Sequence, residues 1–292
     1  MKDFQDILAS KKTLIFDGGM GSMLAQGGAR AGAGMANLSH PRLVYDIHRA
    51  YLDAGADCLI TNTLTLNSAY MEKARQSEIL EASLNAAIEQ ALKAADGRYF
   101  VFGDMGPGGQ LLAPYGSGDA AAYYAAFCEQ AAVFAAAHLS GIIIETVFSL
   151  AEAQIMLKAC QDAAPALPVL LCMTFAFTKN GGRTMMGDKA IDIATKAAEC
   201  GAKAVGTNCG DLSLPEQAEI IKTMSQANLP LIAQPNAGKP ELIDNQATYS
   251  LNPATFAEGM LIIKQAGAQM LGGCCGTTPA HIEALAKAIN AG

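Results

Sequence analysis

Short apolar or β-branched runs alternate along this chain with alanine-rich amphipathic stretches, and glycine or proline marks the junctions. The runs predict eight strands: Thr13–Phe16, Cys58–Thr61, Tyr99–Phe102, Gly141–Ile144, Val169–Thr174, Ala204–Thr207, Leu231–Gln234 and Gln269–Gly272. Gly55, Gly97, Gly141, Gly201 and Gly267 read as helix ends, where a residue without Cβ takes the left-handed conformation freely. Ser39-His40-Pro41, Ser213-Leu214-Pro215, Asn252-Pro253 and Thr278-Pro279 read as helix starts, a capping side chain just before a proline. Eight strand–helix units in 292 residues predict an α/β fold, a (β/α)₈ TIM barrel in which residues 1–292 form a single domain. An open doubly wound sheet is the alternative, but it expects Gly-x-Gly-x-x-Gly after the first strand. The chain has Asp17-Gly18-Gly19-Met20-Gly21-Ser22 there, with the wrong spacing. The glycine-rich Gly27 to Gly34 reads as a mobile loop after the first strand, expected to close over substrate and keep water out.

Composition narrows the function. A chain that is 51% hydrophobic and 16% charged can bury a sizeable core. A net charge of -7 with no basic block argues against nucleic-acid binding. No apolar run reaches the ~18 residues of a membrane span, and the start shows no signal-peptide pattern. Eight cysteines in a long, core-rich chain are expected to be reduced thiols in a cytoplasm, where clustered ones suggest a metal or catalytic role.

Barrel chemistry sits at the carboxyl ends of the strands. Those ends read Asp17, then Asn62 and Thr63, Asp104, Glu145 and Thr146, Thr174, Asn208 and Cys209, Asn236, and finally Cys274 and Cys275. Adjacent cysteines bridge each other only with strain, but both can ligate one soft ion. With Cys209 from the sixth strand they suggest a zinc site with one open position. Cys58, Cys128, Cys160, Cys172 and Cys200 read as core packing, and none of the four histidines lies at a strand end. Other readings stay open. Glu145 could belong to a structural ion pair, Asp17 could cap its turn, Asn236 could cap a loop, and the glycines around Cys274 could cradle a phosphate.

The motifs resemble the homocysteine S-methyltransferase family, nearly end to end. They are Asp17-Gly18-Gly19-Met20-Gly21, Asn37-Leu38-Ser39-His40-Pro41, Thr61-Asn62-Thr63, Gly103-Asp104-Met105-Gly106-Pro107, Glu145-Thr146, Gly206-Thr207-Asn208-Cys209, Gln234-Pro235-Asn236-Ala237-Gly238 and Gly272-Gly273-Cys274-Cys275-Gly276-Thr277-Thr278-Pro279. Within the family the chain is most similar to the homocysteine-binding domain of cobalamin-dependent methionine synthase. The resemblance implies that Cys209, Cys274 and Cys275 hold Zn²⁺, with Asn236 in the fourth position when substrate is absent. It implies that Asp17 and Glu145 hold the ammonium of homocysteine, with Asn62 and Thr63 also in the substrate site. The implied reaction is methyl transfer to the homocysteine thiol, giving methionine. Zinc coordination removes the thiol proton and keeps the sulfur electron-rich.

Gly19, Leu64-Thr65 and Gly108 stand where the family commonly has alanine, Phe-Gly and threonine, and are expected beside the substrate pocket. The chain ends with the barrel, leaving no room for the folate and cobalamin domains of methionine synthase. The expected donor is therefore a methylcorrinoid, methylcobalamin or a corrinoid protein, supplied in trans. An onium donor (betaine or S-methylmethionine) would want aromatic residues at the mouth; Tyr115, Phe175 and Phe177 are the candidates in a chain without Trp. Methyl transfer involving another thiol, or a non-catalytic zinc-binding partner of a corrinoid protein, are the remaining alternatives.

Overall fold

A computed structural model describes all residues except 1–3, 11, 30–33, 180, 244–245 and 292. Half of the Gly27 to Gly34 loop, residues 30–33, whose closure is predicted, lies outside the described residues. Eight parallel strands form the central sheet: β1 (Leu14–Ile15), β2 (Cys58–Ile60), β3 (Phe100–Met105), β4 (Gly141–Val147), β5 (Val169–Met173), β6 (Ala204–Asn208), β7 (Leu231–Gln234) and β8 (Met270–Leu271). Their order is β1-β8-β7-β6-β5-β4-β3-β2, and a parallel bridge between Phe16 and Cys58 brings the two edges together. This is the (β/α)₈ barrel.

The β1–β2 seam is short, and side chains complete it. Asp57 N donates to Ile15 O at 2.7 Å and Asp17 N to Cys58 O at 3.1 Å. The carboxylates of Asp57 and Asp17 accept from Ile15 N and Ile60 N, each at 2.9 Å. Inside the barrel, alternate strand residues Leu14, Phe16, Cys58, Ile60, Phe100, Phe102, Ile143, Leu170, Cys172, Ala204, Ile232 and Met270 form one core. A short helix, Phe4–Ala9, places Phe4 edge-on against Phe100 and Phe102, with centroids 5.6 and 4.8 Å apart. Burying that ring contributes about 2 kcal/mol.

Eight helices cover the sheet: α1 (Pro41–Asp53), α2 (Leu80–Ala95), α3 (Ala120–Ala136), α4 (Leu150–Ala163), α5 (Ala190–Glu199), α6 (Leu214–Met224), α7 (Pro253–Gln265) and α8 (Pro279–Ala291). Ser213 makes a reciprocal capping box with Glu216, and Asn252 Oδ1 accepts from Thr255 N at 3.0 Å. Each cap stabilises its helix by about 1 kcal/mol. Ser39 does not cap α1. His40 holds that position, and Ser39 Oγ donates back to Met35 O at 2.9 Å.

Gly55, Gly97, Gly201 and Gly267 have positive φ, as expected of helix ends, but Gly141 does not. Gly141 opens β4 instead, where a Cβ would lie 2.7 Å from the Phe102 ring and 2.8 Å from Pro168 O. The left-handed residue before it is His138, φ 54. Two strands run three residues further than their apolar runs suggested. β3 continues through Gly103, Asp104 and Met105, all buried. β4 continues through Glu145 and Thr146 by shifting register against β5 between Ile144 and Val147. Among the described residues no helix is long and apolar enough to cross a membrane.

Candidate active site and metal centre

Cys209 follows β6, and Cys274 and Cys275 follow β8. β7 lies between those strands, so the three thiols rise from alternate positions on one arc of the mouth. Their sulfurs lie within 4.8 Å of one another, with Cys209 Sγ 3.9 Å and Cys274 Sγ 4.0 Å from Cys275 Sγ. Tetrahedral zinc with Zn–S near 2.3 Å sets its sulfurs about 3.8 Å apart, so the trio fits such an ion with little movement. All eight cysteines are free. Hydrogen bonds from Cys209 and Cys274 hold the Cys275 thiol down at about 3, while contacts with Cys209 and then Cys275 push Cys274 up.

Local backbone fixes the thiols. Cys274 N donates to Pro235 O at 2.8 Å, and Ala237 N donates to Cys275 O at 2.9 Å, tying the β8 turn to the β7 loop. Thr277 Oγ1 donates to Cys274 O at 2.7 Å and accepts from Gly19 N at 3.0 Å. Cys209 adopts φ 55, a left-handed conformation uncommon outside glycine. Asn236 Nδ2 donates to Gly210 O at 2.8 Å, while its buried Oδ1 has no partner among the described residues. A buried acceptor in that condition is a candidate ligand atom.

The thiols line a cavity of about 440 Å³ that also holds Asp17, Asp104 and Glu145. No basic side chain lines it among the described residues. Burial, and then the charge of Cys275, raises Glu145, which lines the cavity, to about 7. Asp17 is pushed well above the carboxylate range by burial, against the Ile60 hydrogen bond that lowers it. Asp104 is raised by burial and by the charges of Glu145 and Asp17. The cavity thus has a soft, thiol-lined end and an acidic side without a counter-ion.

The family model for homocysteine S-methyltransferase matches residues 14–289. The chain belongs to the homocysteine S-methyltransferase family. Methionine synthases of Mycobacterium tuberculosis and Mycobacterium leprae are each 29% identical to it, over 307 and 308 residues. Those alignments cover 98% of this chain, which spans about a quarter (25%) of the length of these relatives. The metallated form of the Escherichia coli homocysteine methyltransferase MmuM superposes with a TM-score of 0.79 at 22% identity, covering 97% of this chain and 98% of that one. At that identity the superposition speaks for the fold.

Several positions where the chain departs from the family's common residues now have places. Gly19 lines the cavity, and a Cβ there would lie 2.6 Å from Cys274 O. Leu64 and Thr65 also line it. Gly108 does not: a Cβ there would meet the Tyr123 ring at 2.4 Å. Tyr123 fills the space a threonine would need, with its hydroxyl donating to Gln110 O at 2.9 Å and accepting from Gln110 N at 2.9 Å.

Of the expected substrate residues, Asn62 lines the cavity and pairs through its side-chain amide with Asn37, Nδ2 to Oδ1 at 2.8 Å. Thr63 lies behind the wall. It is fully buried and donates to Asp104 O at 2.7 Å. None of the three aromatic candidates lines the cavity: Tyr115 is 73% exposed, Phe175 is buried, and Phe177 is 40% exposed on a β-ribbon. Tyr249, which the sequence reading did not single out, lines it beside Cys275.

Asn208 is the other residue whose part was not foreseen. Its Oδ1 accepts from Thr146 N and its Nδ2 donates to Thr146 Oγ1, both at 2.9 Å. The same Nδ2 lies 3.9 Å from Cys274 Sγ. It thereby holds Thr146 at φ 61, strained for a β-branched residue, and aims Glu145 at the cavity while touching a thiol. Partners of metal ligands typically contribute 10–100-fold in metal affinity. If the three thiols hold zinc, Asn208→Ala is expected to weaken its binding by about tenfold or more. Competition with a chromophoric chelator measures this, and unchanged affinity would remove Asn208 from the metal's support.

Proposed function

We propose that this chain is a zinc-dependent methyltransferase that moves a methyl group onto the thiol of homocysteine and releases methionine. The observation that carries the reading is the cavity's polarity, three convergent thiols at one end and uncompensated carboxylates beside them. That arrangement suits a molecule with a thiol at one end and an ammonium at the other. Cys209, Cys274 and Cys275 would hold the ion, and Asn236 Oδ1, buried and unpartnered, would take the fourth position until substrate arrives. Bound zinc lowers the pKa of the incoming thiol so that it is held as thiolate.

The chain's own residues supply the rest. Asp17 and Glu145 take the ammonium by charge-assisted hydrogen bonds, which fixes the sulfur's distance from the acidic side. Asn208 and Thr146 keep Glu145 in place. Held in the cavity at both ends, the substrate would present the sulfur's lone pair to a methyl carbon in line. The new S–CH3 bond forms from that pair, and the electrons of the broken bond leave with the donor.

The donor we favour is a methylcorrinoid presented to the mouth from outside the barrel. A trimethylammonium or sulfonium donor is best held in an aromatic cage. Tyr249 is the one aromatic residue lining the cavity among the described residues.

The test is methionine formation from homocysteine by zinc-loaded protein, with methylcobalamin, betaine or S-methylmethionine in parallel. Product with methylcobalamin alone is expected. Product with an onium donor would overturn the donor assignment. No product with any donor, despite bound zinc, would overturn the activity and leave a binding role.

A further inference from the structure

Asp104 is the one charged residue of β3 and is 5% exposed. Three side chains lock its backbone. Thr61 Oγ1 accepts from Asp104 N at 3.0 Å, and Thr63 Oγ1 and Gln130 Nε2 donate to Asp104 O at 2.7 and 3.3 Å. Its carboxylate, by contrast, makes no hydrogen bond or ion pair among the described residues, and Oδ1 is buried without a partner. The ordinary reasons for a buried carboxylate are therefore missing: it caps no helix, pairs with no base and completes no strand. Nor does it join a metal trio; among the described residues only the three thiols gather closely enough for that. A buried carboxylate with both oxygens free is costly unless a cation meets it. Asp17 has already committed one oxygen to Ile60 N.

We propose that Asp104 is a specificity-determining residue that takes the α-ammonium of the thiol substrate together with Asp17 and Glu145, so that three carboxylates restrict this site to amino-acid thiols. The inference rests on the proposed function, in which the substrate is an amino-acid thiol. An ammonium offers three N–H donors and no acceptor, which matches three carboxylates and no base. A thiol carrying only a carboxylate would enter an acidic cavity without that compensation.

The test compares zinc-loaded wild-type protein with Asp104→Asn, titrating L-homocysteine and its des-amino analogue 4-mercaptobutyrate by calorimetry. Asparagine keeps the shape and removes the charge. The variant is expected to lose at least tenfold in homocysteine affinity, while 4-mercaptobutyrate binds as before or more tightly. Zinc content should be unchanged. The thermal midpoint of the ligand-free variant should match or exceed wild type, because a carboxyl raised in the fold costs stability once pH passes through its folded value. Asp104→Ser serves as a second neutral variant, expected to behave alike. Equal losses for both thiols, or undiminished homocysteine binding by the variants, would overturn the assignment of Asp104 alone. Wild-type protein that binds neither thiol would overturn the proposed function with it.

Discussion

Cys209→Ala is expected to abolish zinc retention and methyl transfer while leaving the barrel folded. Cys209 stands past the end of β6, half-buried at the mouth, and belongs to neither hydrophobic core cluster. Its removal opens no core cavity, so the stability change should stay within about 1 kcal/mol. The effect on the metal is much larger. Outer partners of ligands already contribute 10–100-fold in affinity, so loss of a ligand itself should exceed about 10²-fold. Two thiols 4.0 Å apart would remain, with Asn236 too weak a donor to hold the ion through dialysis. Metal content by atomic absorption, circular dichroism and a methionine assay together check this. A folded variant with full zinc and normal turnover would sink the assignment of the trio. Stripping the wild-type protein with a chelator should reproduce the loss, and added zinc should restore it.

The other large effect concerns stability in mild acid. His48, on α1, is fully buried, and neither ring nitrogen has a hydrogen-bond partner among the described residues. Burial pushes its pKa down to about 4 from the ordinary 6.5. Between those values the unfolded chain binds a proton that the folded chain refuses. The stability associated with neutral His48 is thus complete above pH 6.5 and drains away as pH falls towards 4, about 3 kcal/mol in all. His48→Leu removes the titration and two unpaired polar atoms, whose burial costs about 1–3 kcal/mol. Urea unfolding at pH 5 and pH 7.5 should show a smaller fall for the variant than for wild type. The raised carboxyls of Asp17, Asp104 and Glu145 act in the opposite sense, but they are common to both proteins and cancel in the difference. Parallel pH dependence in the two proteins would count against His48.

Much of the barrel could be read from the chain because its signals are local. All eight runs became strands, since a short apolar run bounded by glycines needs little tertiary help to declare itself. The misreadings have tertiary causes. Gly141 looks like a helix end because glycine is permissive there. Its actual constraint, the ring of Phe102, comes from the neighbouring strand. The bulge that turns Glu145 towards the mouth depends on Asn208, 62 or more residues further on, and leaves no periodic trace. The thiols stood out because vicinal cysteines among glycines are rare. Asp104 was visible only as a strand end, because the telling fact, a carboxylate without any partner, exists only once the chain is folded. That Thr63 is buried and bonded to Asp104 O, not lining the cavity, likewise emerges only on folding. Tyr249 comes from a loop whose sequence carries no pattern.

The seam between β1 and β2 constrains how this chain could change its taste. The carboxylate that stitches Ile60 to the first strand is the same one that faces the proposed ammonium site. A descendant lineage drifting towards thiols without an amine would gain nothing from that charge, yet could not discard it without loosening the barrel's closing joint. Glu145 and Asp104 carry no such second duty, since their side chains bond to no backbone amide among the described residues. Selection for a new substrate would therefore be expected to rewrite those two positions early and position 17 last, so that the oldest mark of the ancestral substrate would persist at the joint.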